Sequence, residues 1–141
     1  MTKFSLLATK LVYQCGKFNS TLNWNLTEDS LVFYCTFDRC RTDKSGGGVF
    51  ASGFFLFSVC SCRFHDCTAE TDGGGLCAQT SSSCIARSLF SSCTNLGMGS
   101  GTHQDCHDEN IARLVSYASC RNTGTGSYSY GAITQRNGVS T

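Results

Sequence analysis

The chain has 141 residues, a net charge of +1 and only 15% charged residues, with 15 Gly, 11 Cys, 10 Phe and no Pro. Near-neutrality leaves no field to draw it to nucleic acid or an anionic membrane, and 40% apolar content excludes a disordered chain. The length suits one domain, and plentiful Gly, Ser and Thr beside few helix formers point to short strands separated by turns.

At the N-terminus, Lys3 precedes an apolar run over 4–8, but Lys10 interrupts it and no small-residue cleavage site follows, so no clear signal peptide is read. The sequons Asn19-Ser20-Thr21 and Asn25-Leu26-Thr27 matter only in a secretory setting. Residues 1–31 are expected to form an N-terminal segment, with 18–31 capping the first coil of a repeat array over 32–141. The longest apolar stretch, 49–59, is broken by Ser52, Gly53 and Ser58 and falls far short of the roughly 20 residues of a membrane-spanning helix. No transmembrane segment is expected.

From residue 37 onward an aromatic residue is followed three positions later by cysteine, four times: Phe37 and Cys40, Phe64 and Cys67, Phe90 and Cys93, Tyr117 and Cys120. The cysteines step by 27, 26 and 27 residues, a constant phase that marks a structural repeat. Six positions after each cysteine comes a glycine: Gly46, Gly73, Gly99 and Gly126. The residues that follow are Val49-Phe50-Ala51, Leu76-Cys77-Ala78, Thr102-His103-Gln104 and Ser129-Tyr130-Gly131, and Ile85-Ala86-Arg87 recurs as Ile111-Ala112-Arg113. Each repeat thus carries three strand-like pieces.

Three short strands returning to one phase every 26 or 27 residues wind the chain around a prism, which predicts an all-β fold, a right-handed parallel β-helix of about four coils. Residues at one phase then stack about 4.8 Å apart. Phe37, Phe64, Phe90 and Tyr117 form an inward aromatic ladder, Cys40, Cys67, Cys93 and Cys120 a column of small apolar side chains beside it, and the glycines turn corners at positive φ.

These motifs resemble the repeats of chlamydial polymorphic outer-membrane proteins and related β-helix (pectin lyase-like) surface proteins of bacteria and protists. Gly46-Gly47-Gly48-Val49 and Gly73-Gly74-Gly75-Leu76 match their GGA[ILV] motif, and the four aromatic-x-x-Cys motifs match FxxN with cysteine in place of asparagine. The match covers roughly residues 33–131. The resemblance implies a β-helix with a role at the cell surface, in adhesion or display.

Eleven cysteines cannot all pair internally. Stacked ladder thiols point the same way, so they are expected to stay reduced, whereas Cys35, Cys60, Cys62, Cys77 and Cys84 are the candidates for bridges across a corner. Strand alternation places Cys60 and Cys62 on one side. The paired C-x-x-C spacing of a zinc site is missing, and no metal or cofactor is expected. The segment His103-Gln104-Asp105-Cys106-His107-Asp108-Glu109 gathers possible ligands, yet its phase reads as a solvated polar turn.

Three uses follow. The first is a non-enzymatic interaction module at an extracellular surface, binding protein or glycan through the outward aromatics Phe54, Phe55, Tyr128 and Tyr130. The second is a structural subunit associating end to end through open coil edges, or a piece of a larger repeat protein. The third is a polysaccharide lyase or hydrolase working through Asp43, Glu70 and Asp72. No catalytic residue is nominated.

Overall fold

The computed structural model describes residues 11–14, 16–123 and 133–137. The described residues form strands and turns with no helix, and every strand pairing among them is parallel. The chain visits three sheets in turn, making a parallel β-solenoid of about four turns.

The first sheet runs Leu11–Gln14, Ser30–Phe33, Val49–Cys60, Leu76–Ala86, Thr102–Cys106, Ile133–Asn137, with Leu22–Asn25 and Glu109–Arg113 paired at its sides. The second stacks Lys17–Phe18, Thr36–Asp38, Arg63–His65, Leu89–Ser91 and Ser116–Ala118. The third is narrow: Arg41–Thr42, Thr68–Ala69, Thr94–Asn95 and Arg121–Asn122.

Strand register follows the sequence period through the middle coils. Phe37 lies opposite Phe64, Phe64 opposite Phe90, and Phe90 opposite Tyr117. Their rings stack at 4.8, 4.5 and 5.3 Å between centroids, tilted by no more than 16°. The ladder has one more ring than the motif search finds, because Phe18 stacks on Phe37 at 4.9 Å. Phe18 pairs with Phe37 across only 19 residues, since the first coil passes straight from Lys17–Phe18 to Leu22–Asn25 without a third-sheet strand or glycine corner. Strand Ser30–Phe33 crosses positions 31 and 32, so the N-terminal segment and the repeats share it.

The last coil departs in the other direction. Thr102 pairs with Ile133 and Gln104 with Gln135, so the strand over Thr102-His103-Gln104 is not Ser129-Tyr130-Gly131 as the period predicts. This coil takes four residues more, and the 27-residue phase slips before the strand forms. Gly126, Tyr128 and Tyr130 lie outside the described residues.

Among the described residues after the first coil, three columns of corners turn through positive φ, and only one of them is glycine. Gly46, Gly73 and Gly99 have φ of 72°, 67° and 63°, as their fixed phase predicts. The second and third columns are Tyr34, Ser61, Arg87 and Leu114, and Arg39, Asp66, Ser92 and Ser119, all with φ between 50° and 55°. A side chain there costs roughly 1–2 kcal/mol. Leu114 is the clearest case, since it is also 78% exposed and pays the strain without burying its isobutyl group. Leu114→Asn, which tolerates this conformation, is expected to stabilise the protein by about 1 kcal/mol in urea unfolding; an unchanged or lower midpoint would show that the corner is unstrained.

Inside, the strand Val49–Cys60 alternates, and Leu76–Ala86 follows it with a register shift between Thr80 and Ser82. Val49, Ala51, Phe57 and Val59 face in, and Leu76, Ala78 and Ile85 lie over them, all at most 1% exposed. Trp24 sits over Ala51 and packs edge-on against Phe57 at 5.9 Å, filling the space left above small side chains. In the third coil the same inward columns turn polar, with Thr102 over Leu76 and Gln104 over Ala78. The Tyr117 hydroxyl, 2.7 Å from Thr102 Oγ1, gives this polar interior a partner where the other ladder rings are phenylalanines. Burial pushes that phenol up to about 12.

Candidate functional site

The cysteine column is structural in its geometry. Each ladder thiol reaches a backbone carbonyl of the aromatic residue one coil earlier: Cys40 to Phe18 O at 3.5 Å, Cys67 to Phe37 O at 3.4 Å, Cys93 to Phe64 O at 3.7 Å and Cys120 to Phe90 O at 3.4 Å. A thiol is a weak donor, yet repeated at every coil it ties the second sheet to the corner below. Hydrogen bonding to the neighbouring ladder thiols, Cys67 and Cys120, followed by burial, holds Cys40 and Cys93 protonated.

The proposed bridge candidates are free thiols. Cys35 and Cys62 share one phase as a second buried column, with Cys62 donating to Val32 O at 3.5 Å. Burial pushes the Cys62 thiol up to about 12. Cys60 and Cys62 are not on one side. The chain turns at Ser61 (φ 54°), which breaks the alternation, leaving Cys60 half-buried on the outer face and Cys62 in the core. Cys77 is buried near Ser45 and Asp72 of the glycine corners, and burial raises its pKa.

Asp43 and Glu70 are exposed on turns, and the Asp72 carboxylate accepts the Met98 N–H at 2.7 Å, joining one corner to the next. Among the described residues no three His, Cys, Asp or Glu side chains lie close enough to hold a metal.

The segment 103–109 is mostly not a turn. Pairing with Leu76-Cys77-Ala78 draws Thr102–Cys106 into a strand, burying His103, Gln104 and Cys106, and only His107 and Asp108 bend. Gln104 Nε2 donates to Ser83 Oγ at 2.8 Å, and Cys106 Sγ lies 3.2 Å from the same hydroxyl, so these groups satisfy one another inside.

What remains exposed gathers at the bend of the first sheet. Gly53 (φ 133°) kinks the strand Val49–Cys60, its position crowded by Leu26 O, and the following Phe54 is 90% exposed. Phe55, expected outside with it, packs against the core instead, because adjacent residues at the kink face opposite ways. Below Phe54 lies a shallow cleft of about 340 Å³ lined by Gly53, Phe54, Gln79, Thr80, Asp105 and His107. Its lower rim is tied by His107 Nδ1 to Asp108 Oδ1 at 3.0 Å and by Ser81 Oγ donating to Asp108 Oδ2 at 3.2 Å. The hydrogen bond from His107 holds the Asp108 carboxyl below its usual range.

The cleft escapes a motif search because its residues come from three coils about 26 apart and repeat no residue type. Phe54 alone stands out in the sequence. The fold and this surface define a parallel β-solenoid with an aromatic-edged cleft on its first sheet. Compared with protein-family models, curated proteins and solved structures, the chain matches none.

Proposed function

We propose that this chain is a non-enzymatic β-solenoid interaction module, displayed at a cell surface, that holds its partner at the Phe54 cleft. The observation that carries the reading is Phe54: a phenylalanine 90% exposed beside a cleft with amide, hydroxyl, carboxylate and imidazole groups within it. A large apolar ring kept in water costs hydration free energy without packing gain, and aromatic side chains beside polar groups are the usual anchors of recognition surfaces. The surface setting rests on the likeness of the glycine and aromatic-x-x-Cys motifs to polymorphic outer-membrane protein repeats.

Screening the whole protein on glycan and peptide arrays, with Phe54→Ala alongside, tests the reading. An anchor of this kind is worth about 2 kcal/mol, so retention should fall roughly thirty-fold. Thermal stability should not change, since the ring contributes little to the core. Equal retention by both proteins, or no ligand on either array, removes the cleft from function.

A further inference from the structure

Charge on this molecule is segregated, although its total is near zero. Residues 22–33, 49–60, 76–86 and 102–113 supply the first sheet around the Phe54 bend in four successive coils. They hold five of the ten acidic residues, Glu28, Asp29, Asp105, Asp108 and Glu109, against one arginine, Arg113 at the end of the last strand. Arg39, Arg41, Arg63 and Arg121 lie on or beside the second and third sheets.

The stacking sets Asp29 and Glu109 at one phase and Asp105 and Asp108 beside the cleft. Ser82 pairs with both Leu56 and Glu109, and Asp29 Oδ1 accepts the Leu56 N–H at 2.9 Å, so Asp29 and Glu109 occupy the same phase at opposite ends of the bend. Asp105 lines the cleft under Phe54, and Asp108 sits on its rim with its side chain 59% exposed. His107 is bound to Asp108, Arg113 ends the strand that carries Glu109, and the backbone of Arg136 lies in register with Asp105.

We propose that the occupant of the cleft is a basic peptide segment, with a lysine or arginine side chain laid on the Phe54 ring and its charge directed toward Asp105 and Asp108; this rests on the interaction-module reading. An aromatic face attracts a cation through its quadrupole, and carboxylates beside it select the cation over a neutral ligand. An uncharged sugar would use the ring and the hydrogen-bonding groups but gain nothing from the charge of Asp105 and Asp108 beside it. Charge complementarity therefore favours the peptide over the glycan.

The test titrates the whole protein with a fluorescent peptide of alternating lysine and serine, its glutamate–serine counterpart and a set of uncharged oligosaccharides, following anisotropy. Three proteins are compared with the parent: Phe54→Ala, the corner triple Asp105→Asn/Asp108→Asn/Glu109→Gln, and a distant triple Asp43→Asn/Asp66→Asn/Glu70→Gln that removes equal charge. The lysine peptide alone should bind, roughly thirty-fold more weakly to Phe54→Ala and about tenfold more weakly to the corner triple but within about twofold for the distant triple. Equal weakening by both triples overturns the inference, since net charge alone would then explain binding. Phe54-dependent binding of an uncharged sugar without peptide binding overturns it while leaving the module reading intact. Absence of any binding overturns both. Concentration-dependent self-association lost only in the corner triple would also overturn it, assigning the patch to a second copy of this chain.

Discussion

Gly74→Ala is expected to unfold the central coils. A Cβ at Gly74 would lie 2.1 Å from Ser100 O and 2.7 Å from Thr94 O, both backbone atoms of the next coil. Neither oxygen has room to retreat, because the spacing between coils is held by Gly73 N–H to Met98 O at 2.8 Å, Gly74 N–H to Gly99 O at 3.1 Å and Gly75 N–H to Gly101 O at 2.9 Å. Relieving the overlap means losing several of these bonds, at about 1 kcal/mol each, on top of roughly 1–3 kcal/mol of overpacking. A loss of about 4–6 kcal/mol consumes most of the stability of a typical domain. Urea unfolding followed by circular dichroism reads it directly, and a midpoint near that of the parent would mean that the coils separate more easily than their hydrogen bonding indicates.

Alkaline pH is expected to be the second large effect, through buried thiols. Cys62 is 3% exposed, and burial lifts its pKa to about 12 from an unfolded value near 8.5. A raised folded pKa contributes stability in full below the unfolded value and loses it as pH rises toward the folded one, because only the unfolded chain releases the proton in that interval. Each pH unit within it costs about 1.4 kcal/mol per thiol, so near pH 10.5 Cys62 alone removes roughly 2–3 kcal/mol. Cys77 is shifted the same way by burial and steepens the fall. Unfolding free energies measured from pH 8 to pH 10.5 should therefore drop by several kcal/mol, and Cys62→Ala should remove one thiol's share of the slope. A flat profile would mean that the thiols are reached by water.

Much of the fold was legible because a solenoid writes its geometry into its period. Wherever successive coils have nearly equal length, backbone pairing sets each residue over its equivalent, so Phe37, Phe64, Phe90 and Tyr117 share one phase in the sequence and one stack in space. The glycine column was legible for a related reason: positive φ selects glycine strongly at Gly46, Gly73 and Gly99. The other two corners hid because Arg87, Leu114 and their equivalents accept the same strained conformation without a residue type to advertise it.

The candidate site was legible only at Phe54, and even there the sequence paired it with Phe55, which the kink at Gly53 turns inward. By itself the sequence determined the parallel β-solenoid, its step of 26 or 27 residues and the two stacked ladders, since these depend on periodic pairing that any repeat of constant length must display. Only the tertiary structure decided the short first coil that adds Phe18 to the ladder, the longer last one, the free state of the thiols at Cys35, Cys60, Cys62, Cys77 and Cys84, and the cleft beneath Phe54. Those features arise where coil length changes or where unlike residues from different coils meet on the outer face, and contacts of that kind leave no period in the chain to read.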